Sequence, residues 1–145
     1  MKILAVVLTL AAALVTYWIY SRTFTPSHWA GHNDPADQSN PRRAMVQDLL
    51  DHHLRPGMPR DSLLRLLGPP EREVLRHRLS HGPWPESLVA RVQQMPMDSL
   101  NRLITASPLD TILSYPIGWT WMDGLSLTIR LDRRARLVSA RVVQH

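Results

Sequence analysis

Eighteen consecutive residues near the N-terminus, Ile3 to Tyr20, carry no charge, and among them only Thr9 and Thr16 break the aliphatic and aromatic run. A helix rises about 1.5 Å per residue, so the run covers roughly 27 Å, close to the hydrocarbon thickness of a bilayer. It has no polar face to turn toward water. The sequence therefore predicts a transmembrane anchor over residues 1–21. Tyr17, Trp18 and Tyr20 gather at one end and Arg22 follows, a membrane-interface set of rings and charge suited to the headgroup layer. A cleaved signal peptide would share the short basic start at Lys2. It would also need small residues at a cleavage site, where this chain has Tyr17, Trp18, Ile19 and Tyr20. An uncleaved signal anchor is the preferred reading.

Residues 22–41 are rich in Pro, Ser, Asn, Asp and Gly and predict a linker that lifts a domain off the membrane, with Trp29 free to touch the interface. The remaining stretch, 42–145, is long enough for one domain. Met45, Val46, Leu49, Leu50 and Leu54 recur at helical spacing after Pro41, and Pro56-Gly57 ends that helix. A second helix is predicted over Pro59 to Leu67, with Asp61 in its first turn and Gly68, Pro69 and Pro70 closing it. Glu71 to Ser80 predicts a first strand. Gly82 to Pro85 predicts a turn, and short helices follow at Glu86–Gln94 and Asp98–Thr105. Leu125, Leu127, Ile129 and Leu131 alternate with Ser126, Thr128, Arg130 and Asp132, the period of a half-buried strand. Thr111–Tyr115 and Val138–Val142 supply further strands. The order predicts an α+β fold of two layers, two or more helices packed on a three- to four-stranded antiparallel sheet.

The net charge is +5, and Lys2 is the single lysine, so arginine carries the excess. Such a balance favours anionic partners. Neither a long basic run nor a nucleic-acid motif is present, which argues against nucleic acid. The absence of cysteine excludes disulfides, thiolate metal sites, a cysteine nucleophile and a lipid-modified N-terminal cysteine.

The segment GMPRDSLLRLLGPPE, Gly57 to Glu71, resembles the SmpA/OmlA (BamE-like) family of small bacterial envelope domains. Gly57, Met58, Leu63, Leu66, Leu67, Gly68 and Pro70 carry the likeness. Tyr115, Gly118 and the final strands through Val142 resemble the family's ending. The resemblance implies two helices on a three-stranded antiparallel sheet and an accessory role in binding protein or lipid. Against that pattern, Pro59 replaces a Thr or Ser helix cap, a helix replaces the lipidated cysteine, and residues 82–108 form an insertion. With the slight charge asymmetry between Lys2 and Arg22, Arg42 and Arg43, it implies a single-pass inner-membrane protein with its domain on the periplasmic or extracellular side.

No catalytic constellation stands out. His28 and His32, and His77 and His81, are four apart, and His52-His53 are adjacent, but no HExxH pattern accompanies them. A shared metal would need a third ligand such as Asp34 or Asp37. No Gly-x-Ser-x-Gly elbow is present. The sequence predicts no cofactor and no metal site. Trp84, Tyr115, Trp119, Trp121 and Met122 are the candidate partner-binding residues, since aromatics concentrate at interface hot spots. Their alternative role is to cover the sheet. Arg72, Arg76 and Arg78 alternate through the expected first strand, as a basic face for anionic lipid or as a solvated face. The expectation is a membrane-anchored, non-enzymatic binding or assembly module with an envelope or membrane protein partner. A structural protein docked on its own membrane, and a small metal-dependent enzyme, are the alternatives.

Overall fold

The computed structural model describes residues 2–80 and 84–145, with the side chains of the first helix described from Val6 onward. The expected turn at Gly82-Pro83, and His81, lie outside the described residues. The described residues form six α-helices and four strands in the order α1 (Lys2–Arg22), α2 (Pro26–Ala30), α3 (Arg42–Asp48), α4 (Arg60–Leu67), β1 (Arg72–His77), α5 (Glu86–Val92), α6 (Met97–Ala106), β2 (Leu109–Thr120), β3 (Asp123–Leu131) and β4 (Leu137–Gln144). A π-helical turn, Leu49–His53, extends α3, and a short 3-10 turn follows β1. The strands form one antiparallel sheet in the order β1-β2-β3-β4.

One face of the sheet carries the core. Leu113, Tyr115, Ile117, Leu127, Ile129 and Leu131 project from the two central strands and meet Met45, Val46 and Leu49 of the first helical layer and Leu63 and Leu67 of α4. The stripe read from sequence at three- and four-residue spacing is the stripe that is buried, as the 3.6-residue period requires. The π-helical turn shifts the partner of Leu54 back to Leu49, five residues away. Gly57 then takes φ +84°, open to glycine at no steric cost, and the chain runs back against the start of β4: Gly57 donates to Leu137 and Leu137 donates to Met58. Gly68, at φ +76°, ends α4 and its carbonyl accepts from the Tyr115 hydroxyl at 3.1 Å. The Asp132 carboxylate accepts from the N–H groups of Arg134 and Arg136 and closes the turn between β3 and β4.

The stretch read as a linker is folded into the domain. Phe24 and Trp29 lie in the core, Trp29 fully buried, and the Phe24 N–H donates to Asp48 Oδ2 at 2.8 Å. Asn40 is buried as well. Its carbonyl oxygen Oδ1 accepts from the Arg42 N–H and its amide donates to the His32 carbonyl. The Arg42 guanidinium is enclosed among Trp29, Asn33 and β2. It donates to the carbonyls of Trp29 (2.7 Å) and Pro116 (3.3 Å) and to Asn33 Oδ1 (3.0 Å), and it stacks 4.7 Å from the Trp29 ring centre. Composition suggested a solvated spacer because polar and turn-forming residues dominate it. Two large aromatics and one arginine decide otherwise.

Side chains along α1 are exposed throughout from Val6 to Tyr20. Among the described residues no helix is long and apolar enough to cross a membrane. The eighteen-residue run read from sequence includes Ile3–Ala5, whose side chains lie outside the described set. By that measure the described residues do not meet the transmembrane expectation. Helices α5 and α6 occupy the expected insertion; they contribute no buried residue, and α6 abuts β1.

Two outcomes follow from this packing. Arg42→Met leaves buried carbonyls without a donor and lowers unfolding free energy by about 3 kcal/mol, read by urea denaturation; no loss would deny Arg42 its role. Asp48 is held below its ordinary value, first by the hydrogen bond from the Phe24 N–H and then by His52 and His53. A depressed carboxyl stabilises the fold above its ordinary value and loses that contribution as pH falls through the depressed one. Asp48→Asn is expected to flatten the acid limb of a melting-temperature profile relative to the unaltered chain.

Candidate functional site

The residues singled out as partner contacts divide between core, scaffold and tip. Tyr115 is fully buried between the sheet and α4 and cannot meet a partner. Burial pushes its phenol up to about 12. Trp84 is half-buried, its indole donating to the Leu79 carbonyl at 2.8 Å. Trp119 clamps the folded stretch before α3. Its indole donates to the Pro35 carbonyl at 2.8 Å and its own carbonyl accepts from Arg43 at 2.7 Å. Beside it Gly118 takes φ +112°, and a Cβ added there would lie 3.5 Å from the Asn40 Cβ. Period-two alternation does not carry Trp121 to the same face as Trp119, because β2 ends at Thr120.

Trp121 and Met122 instead form the two-residue loop between β2 and β3. Trp121 is 100% exposed and Met122 82%. Trp121 also adopts φ +53°, a left-handed conformation that costs a non-glycine residue on the order of 1–2 kcal/mol. Its large apolar side chain is thus held in a strained conformation and left fully exposed. Of the membrane-interface set, Tyr17, Trp18 and Tyr20 are exposed on α1, and the Arg22 guanidinium lies 4.1 Å from the Trp18 ring centre.

The sheet face opposite the core forms a second candidate. The strand registers align two rows across it. One runs Arg72, Ser114, Thr128, Arg141; the next runs Val74, Ile112, Arg130, Ser139. These residues, with Arg76, Val143 and His145, line a hollow of about 480 Å³ that contains no acidic side chain. At its end lies Asp110, 1% exposed. Asp110 accepts two hydrogen bonds from Arg78, at 3.1 and 3.0 Å, and sits 3.9 Å from Arg130 Nε. Arg130 Nε is buried and has no hydrogen-bond partner among the described residues. A similar hollow adjoins, sharing Arg72, Ser114 and His145 and reaching Trp119. The alternating arginines of β1 were legible in the sequence. Arg78 separates from them into the Asp110 pair, while Arg130 and Arg141 join from strands 50 to 70 residues away. Single arginines on amphipathic strands carry no signal that marks this pairing.

Among the described residues the histidines do not assemble a metal site. His28 and His32 stack edge to face at 5.1 Å, while His52 and His53 turn to Asp48. Asp34 and Asp37 accept hydrogen bonds from the backbone of their own turns. Among the described residues no group of three or more His, Asp or Glu is placed to hold a metal ion. Comparison of the chain with protein-family models, with curated proteins and with solved structures finds no match.

Trp121→Gly relieves the left-handed strain of the hairpin. It is expected to raise unfolding free energy by about 1 kcal/mol, measured by thermal or urea denaturation. A loss of stability would mean that the indole packs within the domain.

Proposed function

We propose that the chain is a membrane-anchored, non-enzymatic binding or assembly module of the bacterial cell envelope. α1 serves as the anchor and the α+β domain meets a protein partner on the periplasmic or extracellular side of the inner membrane. The observation that carries this reading is the exposure of α1. Its large apolar side chains from Val6 to Tyr20 are each between 54% and 72% exposed, on every side of the helix. A helix that is apolar all round is stable where something apolar surrounds it, a protein core or a bilayer. Burial of apolar surface contributes about 25 cal/mol per Å², so solvent is the costly surrounding for such a helix.

Two further features support the reading. The likeness of Gly57–Glu71 and the closing strands to SmpA/OmlA domains favours an envelope address and an accessory role. The exposed Trp121 and Met122 give the domain an apolar tip where a partner can seat an aromatic anchor. The domain begins within two residues of Arg22, at Phe24, so it would sit against the headgroups with no spacer beneath it.

Alkaline extraction of membranes holding the full chain tests the anchor. The chain is expected to stay in the pellet, with Ile3–Tyr20 intact by N-terminal sequencing, and a chain lacking residues 2–22 is expected in the supernatant. Release of the full chain by alkali, or a mature N-terminus beyond Tyr20, would overturn the proposal.

A further inference from the structure

We propose that the solvent-facing side of the sheet is a binding site for a small organic anion: a multiply charged phosphate or carboxylate group on a flat apolar body. The site lies on the sheet alone and does not depend on α1 or on the hairpin tip.

The chemistry follows from the two rows. Neighbouring strands lie about 4.8 Å apart, so Arg72 and Arg141, on the outer strands, stand roughly 14 Å apart at their Cα atoms. Between them the central strands present two hydroxyls, Ser114 and Thr128. Arginine side chains reach inward over such a gap, and a fork of N–H groups matches the oxygens of a phosphate or carboxylate. An arginine has five N–H donors, so engaging one or two within the protein leaves others for a ligand. In the adjoining row Val74 and Ile112 make an apolar floor beside Arg130. An anion over Ser114 and Thr128 would lay its apolar part on that floor.

Arg130 sharpens the case. Its Nε is a buried donor with no hydrogen-bond partner among the described residues, although Asp110 lies 3.9 Å away. A buried donor left unmade is destabilising, so an acceptor arriving there recovers energy the free domain lacks. Asp110 is already committed to Arg78 by two hydrogen bonds, and the lining itself carries four arginines and no acidic side chain.

Shape selects among anions. The hollow, about 480 Å³, falls in the range of small-molecule sites. A flat bilayer surface cannot enter a recess in the middle of a sheet. An extended acidic peptide would instead pair along an edge strand, and the lining lies across the strands.

The test is calorimetric titration of the full chain in nonionic detergent with 1-naphthyl phosphate. Inorganic phosphate, 1-naphthol and hexaglutamate are the comparison probes. Saturable one-to-one binding of naphthyl phosphate is expected, at least tenfold tighter than any comparison probe. Binding is expected to weaken tenfold or more in Arg130→Gln and in the Arg72→Gln/Arg141→Gln double variant. Ser139→Phe, at an exposed position, fills the hollow without changing charge and is expected to abolish binding, which separates occlusion from lost charge. Arg65→Gln, on α4 in the opposite layer, is expected to bind as the unaltered chain does. Melting temperatures within a few degrees of the unaltered chain establish that the variants fold; for any that do not, Ser139→Phe and Arg65→Gln decide the outcome. Absence of saturable binding, equal affinity in Ser139→Phe, or hexaglutamate or inorganic phosphate binding as tightly as naphthyl phosphate would each overturn the proposal. Failure of membrane anchoring would leave every one of these readings unchanged.

Discussion

A single buried guanidinium joins the N-terminal stretch to the sheet. Arg42 donates to the carbonyl of Trp29 and to Asn33, both in the stretch just before it, and to the carbonyl of Pro116, 74 residues away. Among the described residues no carboxylate forms an ion pair with it. Burial lowers it to about 10, still high enough to keep the charge at neutral pH. The charge is therefore balanced by carbonyl dipoles and by the face of Trp29, a partly desolvated cation–π contact. Burying a cation without a counter-ion is expensive unless each donor finds an acceptor. The loop from Gly31 to Asn40 and the distal end of β2 supply those acceptors, so their positions depend on one another.

From that junction the architecture extends in two directions. Toward the helices, Trp29 packs with Phe24 and Tyr115 and completes the core beside Met45 and Leu49. Toward the sheet tip, Arg43 and Trp119 tie β2 to Pro35, and the register shifts between Pro116 and Gly118. The shift adds twist where β2 leaves the core, as bulges do. Past it, Trp121 and Met122 form the exposed turn into β3. The core-building contacts and the exposed tip are thus two ends of the same strand.

The sheet separates its two faces by chemistry. Leucine, isoleucine and tyrosine on one side bury against α3 and α4, while arginine, serine and threonine collect on the other. An antiparallel sheet commonly keeps one face solvated. Here that face is hollowed, and its charge comes almost wholly from arginine. With β1 as an edge strand flanked by α6, the inserted helices border the sheet without covering this face or entering the core.

Local patterns in the sequence determined most elements. The 3.6-residue stripe from Met45 to Leu54, the Gly68-Pro69-Pro70 stop and the alternation from Leu125 to Leu131 each act within a few residues, so their physics is readable without the fold. The helix-then-sheet order followed from them. Tertiary structure alone decided three matters. Residues 22–41 are folded onto the domain through Phe24, Trp29 and Asn40, because Trp29 reaches the core and Arg42 finds a partner 74 residues away. Tyr115 is buried and Trp121 is bare, because β2 ends between them. Arg72 and Arg141 share one row, because strand register brings together residues that no local period relates. Helix and strand periods are short-range properties of the backbone; partners for a buried charge, the end of a strand and the floor of a hollow exist only once distant segments have packed.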